Sequence, residues 1–165
     1  NSAICLLLIR QGGPSLRAFP SRFEAVGSVP FSVPTEPENE LLKLLLGILK
    51  PSSGEMLLSG MPIGRMTAQR RARKLAYIPQ DVSLRFPLSV FEFVLLGRKP
   101  WFVWGPSPSD VALTGTVLSR LDLDALAERP LANLSEARQK VALARALVQE
   151  TDWLLLDEPP APGSP

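Results

Sequence analysis

The last hydrophobic segment of the chain, Trp153–Leu156, is followed at once by Asp157, Glu158 and Pro159. Four apolar residues in succession predict a strand that is buried on both faces, as in a parallel sheet. Open α/β sheets bind ligands at the carboxyl edge of such strands, so the two carboxylates are candidate functional residues. A plainer interpretation competes with this one, in which Asp157 N-caps a helix that begins at Pro159.

The pattern from residue 41 to residue 60 predicts a helix, a turn and a strand. The apolar run Leu41–Leu49 predicts a buried helix that ends at Lys50, because Pro51 disfavours helical geometry in the residue before it. Glu55–Leu58 predicts a short strand, and Ser59-Gly60 predicts the turn that follows it.

Residues 65–149 predict a second buried strand and a helical region. The basic segment Arg65–Lys74 is typical of a solvated helix face, and Leu75–Ile78 predicts a buried strand that Pro79-Gln80 ends. Ser89 with Glu92 three positions later forms a capping box, and we expect its helix to run to about Leu96 and to stop at Gly97. Two more amphipathic helices are predicted, at Asp110–Leu121 and Ala137–Gln149.

These elements together predict an α/β fold with a helical insert between Gln80 and Leu134. The apolar run Ala3–Ile9 is too short to cross a bilayer, and we interpret it as a strand.

The chain has 18 basic and 16 acidic residues, and a net charge of +2 indicates no nucleic-acid footprint. It has one cysteine, Cys5, and no histidine, which excludes zinc–histidine sites and Ser-His or Cys-His catalysis.

The stretch Leu41–Pro159 resembles the ATP-binding subunit of an ABC transporter. The resemblance is carried by LLKLLLGILKPSSGE, LAYIPQ and LARALVQETDWLLLDEP, and FPLSVFEFVLLGR is similar to the branch that energises import of iron-siderophores, haem or cobalamin. It implies a P-loop NTPase-like ABC ATPase core, incomplete, with a helical subdomain at about 89–139. In this core we expect parallel strands near Leu75–Ile78 and Leu154–Asp157 and an antiparallel piece near Glu55–Leu58. We also expect Gln80 to meet Asp157 and Glu158 at one nucleotide pocket. Residues 1–40 then form a separate N-terminal segment without clear periodicity, and residues 160–165 an aberrant tail.

The resemblance also implies roles for individual residues. Asp157 matches the Walker B aspartate that supports Mg²⁺, and Glu158 matches the carboxylate that polarises the attacking water. Gln80 matches the Q-loop residue that senses the metal and the γ-phosphate. Ser135 and Gln139 are remnants of the signature motif, which covers the ATP of the other subunit in a dimer.

The implied cofactors are ATP and Mg²⁺, and the implied activity is ATP hydrolysis coupled to import. The implied partners are transmembrane permease subunits, a second ATP-binding subunit in a homodimer and, indirectly, a substrate-binding protein, at the cytoplasmic face of the cell membrane. One alternative is a non-catalytic pseudo-ATPase or interaction module. Another is a DNA-repair or chromosome-organising ABC ATPase, which would need a long coiled coil where this chain has room only for a compact insert.

Two motifs depart from the family pattern. The phosphate loop GxxxxGK[ST] should lie directly before Leu41, but Glu38 stands in the lysine position and Pro34 and Pro37 lack N–H donors. The signature motif appears as Leu134–Gln139 (LSEARQ), without its two glycines. We therefore expect this polypeptide to be impaired in ATP binding.

The genetic code suggests a reason for the first departure. If the codons of residues 33–39 are read from the last base of the Ser32 codon, they can encode Gly-Pro-Asn-Gly-Ala-Gly-Lys, an intact phosphate loop. We hypothesise that much of residues 1–40 is translated out of frame and that the proper frame resumes near Leu41. The codons of Ala161–Pro165, shifted by one base, can likewise encode His-Leu-Asp-Pro, but this match is less decisive than the first.

Overall fold

The structure is a computed structural model. It describes residues 7–10 and 24–25 by their backbone, and residues 43–52, 54–79, 87–134 and 137–156 in full. The strands are β1 (Leu7–Arg10), β2 (Glu24–Ala25), β3 (Leu57–Leu58), β4 (Met61–Pro62), β5 (Leu75–Ile78) and β6 (Trp153–Leu156). The helices are α1 (helical residues 43–45), α2 (Ala68–Ala72), α3 (Val90–Leu95), α4 (Pro108–Arg120) and α5 (Arg138–Val148), with 3₁₀ segments at Ile63–Arg65, Leu96–Trp101, Asp124–Leu126 and Leu131–Asn133.

The central sheet has the strand order β2-β1-β6-β5. Strands β5 and β6 are parallel, as predicted, and pair from Leu75 opposite Trp153 to Ile78 opposite Leu156. Strand β1 lies antiparallel on the other side of β6, and it overlaps the strand predicted at Ala3–Ile9. The described part of the chain therefore has the expected α/β architecture.

Strand β6 is buried on both faces, as its apolar run predicts. Leu154 contacts the cluster that contains Ala142 and Ala146 of α5, and Leu155 contacts the cluster on the opposite face of the sheet. Successive side chains of a strand point to opposite faces, so neighbouring leucines serve two cores. The small alanines of α5 let the helix lie close to the sheet.

The helical region has its own core, and α5 connects that core to the sheet. Helices α3, α4 and α5 contribute buried side chains to one cluster, including Val90, Phe93, Val117, Leu118, Val141 and Leu147. The Ser89–Glu92 capping box is present as predicted, with the Ser89 backbone N–H donating to Glu92 Oε2 at 2.8 Å. A second capping box, at Ser107 and Asp110, begins α4 two residues before its predicted start.

The first predicted helix ends earlier than expected. The prediction extended it to Leu49, but helical geometry stops after residue 45 and Gly47 has a φ of +65°. The N–H of Gly47 donates to Leu44 O and that of Ile48 donates to Lys43 O, which is the hydrogen-bond pattern of a Schellman motif. The glycine, rather than Pro51, ends this helix.

The antiparallel hairpin is confirmed, although its first strand is shorter than predicted. Leu57–Leu58 pairs with Met61–Pro62 rather than spanning all of Glu55–Leu58. Ser59 and Gly60 both have positive φ, 51° and 76°, as a two-residue type I′ turn requires.

The basic segment Arg65–Lys74 is only partly the solvated face that its charge pattern predicts. Arg71 donates to Met66 O at 3.2 Å, and Arg73 donates to Pro100 O at 2.9 Å while its guanidinium lies 4.7 Å from the centroid of the Trp101 ring. The contacts of Arg73 tie the end of α2 to the 3₁₀ segment that follows α3.

Gly97 was predicted to stop a helix, but the chain continues through it as the 3₁₀ segment Leu96–Trp101. A Cβ atom at this position would overlap the backbone oxygen of Arg145 and would lie 2.7 Å from a methyl group of Val148. The glycine is needed because two elements approach each other closely there.

Candidate functional site

The two strands that precede the candidate carboxylates and the candidate glutamine are neighbours in one sheet. Ile78, the last residue of β5, lies opposite Leu156, the last residue of β6. The strands are parallel and adjacent strands lie about 4.8 Å apart, so the chain leaves both strands at the same edge. Gln80 follows two residues after the first strand and Asp157 directly after the second.

Gln80, Asp157 and Glu158 themselves lie outside the described residues. Their meeting at one pocket therefore stays a prediction. The segment with Pro34, Pro37 and Glu38, and the Ser135 of the signature remnant, also lie outside the described residues.

The position of β6 is fixed by bonds at its amino end. The Trp153 N–H donates to Lys74 O at 2.9 Å, and Lys74 Nζ lies 2.6 Å from Asp152 Oδ2. The Trp153 indole N–H donates to Ser59 Oγ at 3.2 Å. These contacts hold β6 in register with β5 and against the β3–β4 hairpin, so the carboxyl end of β6 starts from a defined position.

Gln139 is an exposed side chain in the first turn of α5. Helix α5 returns through a short turn into β6, so its first turn lies toward the carboxyl edge of the sheet. Its N-cap residue, Ala137, makes no side-chain capping bond, whereas Arg138 Nη2 donates to Ala132 O at 2.9 Å. Gln139 therefore faces solvent at the end of the molecule where the two strands end.

A buried charged cluster lies at the other end of α5, and sequence reasoning missed it. Arg98 Nε donates to Asp110 Oδ1 at 2.7 Å, and Arg98 Nη1 donates to Glu150 Oε2 at 2.8 Å and to Val148 O at 2.9 Å. The side chains of Arg98 and Asp110 are 10% and 7% exposed. The only local indication was the Ser107-x-x-Asp110 spacing, which predicts a helix start but not a buried ion pair.

Burial and hydrogen bonding act in opposite directions on Asp110. Burial by itself raises the pKa of this carboxyl, but the hydrogen bonds from Ser107 and the ion pair with Arg98 together outweigh it and lower the pKa below its ordinary value of 3.8. The carboxylate therefore stays charged at neutral pH. Because this cluster joins the 3₁₀ segment, α4 and the end of α5, it serves to fix the helical region against the strand that follows α5.

Among the described residues, no group of three or more acidic, histidine or cysteine side chains could hold a metal ion. No helix in the described ranges is both long and apolar enough to cross a membrane.

The comparison with known proteins decides the family. The family model described as "ABC transporter" matches residues 40–161. The chain belongs to the ABC transporter family. An uncharacterized ABC transporter ATP-binding protein of Methanocaldococcus jannaschii is 42% identical over 123 residues, which cover 74% of this chain and 48% of that protein. The chelated iron transport system membrane protein YfeB of Yersinia pestis is 40% identical over 127 residues, which cover 74% of this chain and 42% of that protein.

Other relatives have names that point to haem and cobalamin. The hemin import ATP-binding protein HmuV of Streptomyces coelicolor is 36% identical over 125 residues, 75% of this chain and 45% of that protein. A cobalamin import ATP-binding protein of Halobacterium salinarum is also similar, at 34% identity over 75% of this chain and 31% of that protein. The chain thus spans less than half the length of these curated relatives.

A solved structure supports the fold. The chain is similar to cbiO1 of Clostridium perfringens, with a TM-score of 0.63 and 23% identity over 97% of this chain and 68% of that one. The fold is therefore that of an ABC ATPase core, and the α/β interpretation with a helical subdomain is confirmed.

The residue types of this chain suit Mg²⁺ after the two parallel strands but do not suit a polyphosphate before Leu41. Gln80, Asp157 and Glu158, which follow the strands in sequence, carry the oxygen atoms that Mg²⁺ prefers. The segment before Leu41 does not fit a polyphosphate, because Glu38 adds a negative charge and the prolines remove N–H donors.

Proposed function

We propose that this chain derives from the ATP-binding subunit of an importer for iron complexes, haem or cobalamin. The single observation that carries the proposal is the in-register pairing of Ile78 with Leu156, since both strands end at one edge of one sheet, where we expect Gln80 and the Asp157-Glu158 pair to meet. The names of the related proteins support the importer class.

The proposed roles are those that the family resemblance implies for these residues. Asp157 would hold Mg²⁺, Glu158 would polarise the attacking water, and Gln80 would respond to the metal and the γ-phosphate. Ser135 and Gln139 belong to the surface that would face the ATP of a second subunit, and the exposed position of Gln139 at the start of α5 is consistent with that role. Phosphoryl transfer needs such groups because its catalysis is mainly positioning and charge neutralisation.

We propose in addition that the polypeptide as written binds Mg-ATP poorly. A phosphate loop works by directing backbone N–H groups and a lysine toward the phosphates. Here Pro34 and Pro37 supply no N–H, and Glu38 repels the ligand. Ser135-Glu136-Ala137 lacks the glycines that would let the backbone approach a γ-phosphate closely.

The reading-frame hypothesis specifies individual bases of the coding DNA. A shifted Gly-Pro-Asn-Gly-Ala-Gly-Lys requires the codons of residues 32–38 to be TCG, GTC, CCA, ACG, GAG, CCG and GAA, where the amino acids alone leave every third base open or partly open. Sequencing the source DNA tests this directly. Any other third base in the codons of Thr35 or Pro37 would remove a glycine of the shifted loop and refute the hypothesis.

The proposed setting is a homodimer of ATP-binding subunits on a permease, at the cytoplasmic face of the membrane, with a substrate-binding protein as an indirect partner. Within the described ranges, the exposed side chains of Val103 and Trp104, at 86% and 101%, form an apolar patch that such an assembly could cover.

A second candidate function is a non-catalytic module that docks a partner without using ATP. It is favoured by the loss of both phosphate-contacting motifs, while buried hydrophobic clusters still form around α5 and β6. Mg-ATP binding separates this candidate from an active ATPase.

The test is calorimetric titration of Mg-ATP into the 165-residue chain and into a variant in which residues 32–40 are replaced by Gly-Pro-Asn-Gly-Ala-Gly-Lys-Ser-Thr, which restores the lysine at position 38. A matched control has the same loop but keeps Glu at position 38. We expect affinity of about micromolar order only in the fully restored variant. Micromolar binding by the original chain would show that the objection to Glu38 and the prolines is wrong.

A further inference from the structure

A groove of about 470 Å³ lies between α2, the 3₁₀ segment Leu96–Trp101 and the last turns of α5. This volume is within the range of about 300–1,000 Å³ that is usual for small-molecule sites. Its lining includes Gln69, Leu96, Lys99, Pro100, Arg145 and Gln149. It adjoins Leu75, the first residue of β5, whose carbonyl accepts from Gln149 Nε2, so it lies at the amino edge of the sheet and not at the edge where Ile78 ends.

The groove has an unbalanced charge. Lys99 and Arg145 both line it, and no lining residue is acidic. Across the described residues, neither cation forms an ion pair. The Arg145 guanidinium lies 4.7 Å from the centroid of the Phe93 ring. Lys99 and Arg145 are both solvent-exposed, so an anion in the groove would meet two accessible cations and no carboxylate among the lining residues.

Negative groups at the end of α5, beside the lining residue Gln149, are already engaged. Glu150, next to the lining residue Gln149, accepts from Arg98 at 2.8 Å. The last carbonyls of α5 would give that end of the helix a negative potential, but Val148 O accepts from Arg98 Nη1 at 2.9 Å and Gln149 O accepts from the Trp101 indole N–H at 2.8 Å. These bonds reduce the repulsion that an anion would otherwise meet.

Hydrogen bonds connect the elements around the groove. Gln69 Nε2 donates to Pro100 O at 2.9 Å, and Gln149 Nε2 donates to Leu75 O at 3.2 Å. The two amide side chains therefore connect α2 to the 3₁₀ segment and α5 to the sheet. A preformed site loses less conformational entropy when a ligand binds.

We propose that this groove binds a small organic anion, with its carboxylate or phosphate group at Lys99 and Arg145 and a short apolar body against Leu96 and Pro100. The inference rests on the geometry of the groove alone and needs no nucleotide at the other edge of the sheet.

The test is calorimetric titration of the full chain, without nucleotide, with butyrate and with propyl phosphate, and with butylamine as the cationic counterpart. The two informative variants are Lys99→Glu and the charge-matched control Lys140→Glu, since Lys140 is exposed on α5 and does not line the groove. We expect saturable one-site binding of at least one anion and no binding of butylamine. The affinity for that anion should fall about tenfold or more in Lys99→Glu and should stay within about twofold of the original in Lys140→Glu.

Two results would overturn the proposal. One is the absence of saturable binding by both anions up to about 10 mM. The other is an equal loss in Lys99→Glu and Lys140→Glu, which would indicate non-specific attraction to the positive surface. Neither result bears on Mg-ATP binding by the restored phosphate loop, so failure here is distinguishable from failure of the proposed function.

Discussion

Ile78 and Leu156 lie opposite each other as the last residues of two adjacent parallel strands. The two residues are far apart in the chain, and the helical region between them folds back so that α5 packs on the sheet through Ala142 and Ala146. The register of this one residue pair determines whether the polar residues that follow each strand can act on the same ligand.

The buried position of Arg98 predicts a large effect of removing its charge. Arg98→Met keeps an apolar side chain of similar length but leaves Asp110, whose side chain is 7% exposed, without its counter-ion. We expect the free energy of unfolding to fall by about 3–5 kcal/mol. The matched control is Arg65→Met, which removes an exposed ion pair with Glu55 at 3.8 Å and should change the free energy by no more than about 1 kcal/mol. Urea denaturation measures both, and equal losses would contradict the structural role given to the buried ion pair.

Two glycines predict opposite effects of the same substitution. Gly97→Ala places a methyl group against the backbone oxygen of Arg145, and we expect a loss of about 1–3 kcal/mol from overpacking. Gly115 lies within α4, where an added methyl group would meet nothing within 4 Å, so Gly115→Ala should stabilise the protein by about 0.4–1 kcal/mol. Thermal unfolding of the two variants compares them, and a harmless Gly97→Ala would show that α5 does not approach the 3₁₀ segment so closely.

The capping carboxylates predict a loss of stability in acid. The backbone hydrogen bond from Ser89 lowers the pKa of Glu92 below its ordinary value of 4.5, and the net effect of its surroundings lowers that of Asp110 below 3.8. A lowered folded-state pKa gives stability that is complete above the unfolded-state pKa and is lost as the pH falls through the folded-state pKa. Urea unfolding from pH 6 to pH 3 should therefore show falling stability below about pH 4.5, first from Glu92 and then from Asp110.

The variant Glu92→Gln cannot titrate at this position. Its stability should be less dependent on pH in the upper part of that window than the stability of the original chain, because the capping carboxylate is gone. An unchanged pH profile in this variant would refute the role given to the Ser89–Glu92 capping box.

Local sequence patterns predicted the elements whose causes are local. The spacing of Ser89 and Glu92 was sufficient for a capping box, since both partners lie in one helical turn. The apolar run at Trp153–Leu156 was sufficient for a strand buried on two faces. The family pattern added the expectation that β5 and β6 share a sheet, which the register confirms.

The positions that sequence reasoning misjudged depend on distant partners. Arg98 carries no local signal of burial, since its partner Asp110 lies 12 positions away and Glu150 lies 52 positions away. Gly97 looks like a helix stop, yet its requirement comes from Arg145 and Val148 on another helix. Arg73 looks like part of a charged surface, yet its partner is a carbonyl 27 positions away. No local pattern contains such information, because only packing brings these groups together.

The central claim is that the residues after β5 and β6 meet at one edge of the sheet, and oxidative cross-linking tests it most directly. In a Cys5→Ser background, the pair Gln80→Cys with Glu158→Cys continues the register of Ile78 with Leu156, and a disulfide requires Cα atoms within about 7 Å. The control pair, Gln80→Cys with Asp152→Cys, joins opposite ends of the sheet, roughly 20 Å apart at about 3.3 Å per residue. We predict that mass spectrometry finds rapid disulfide formation in the first pair and little in the second. Absence of the first cross-link, or equal formation of both, would contradict the account.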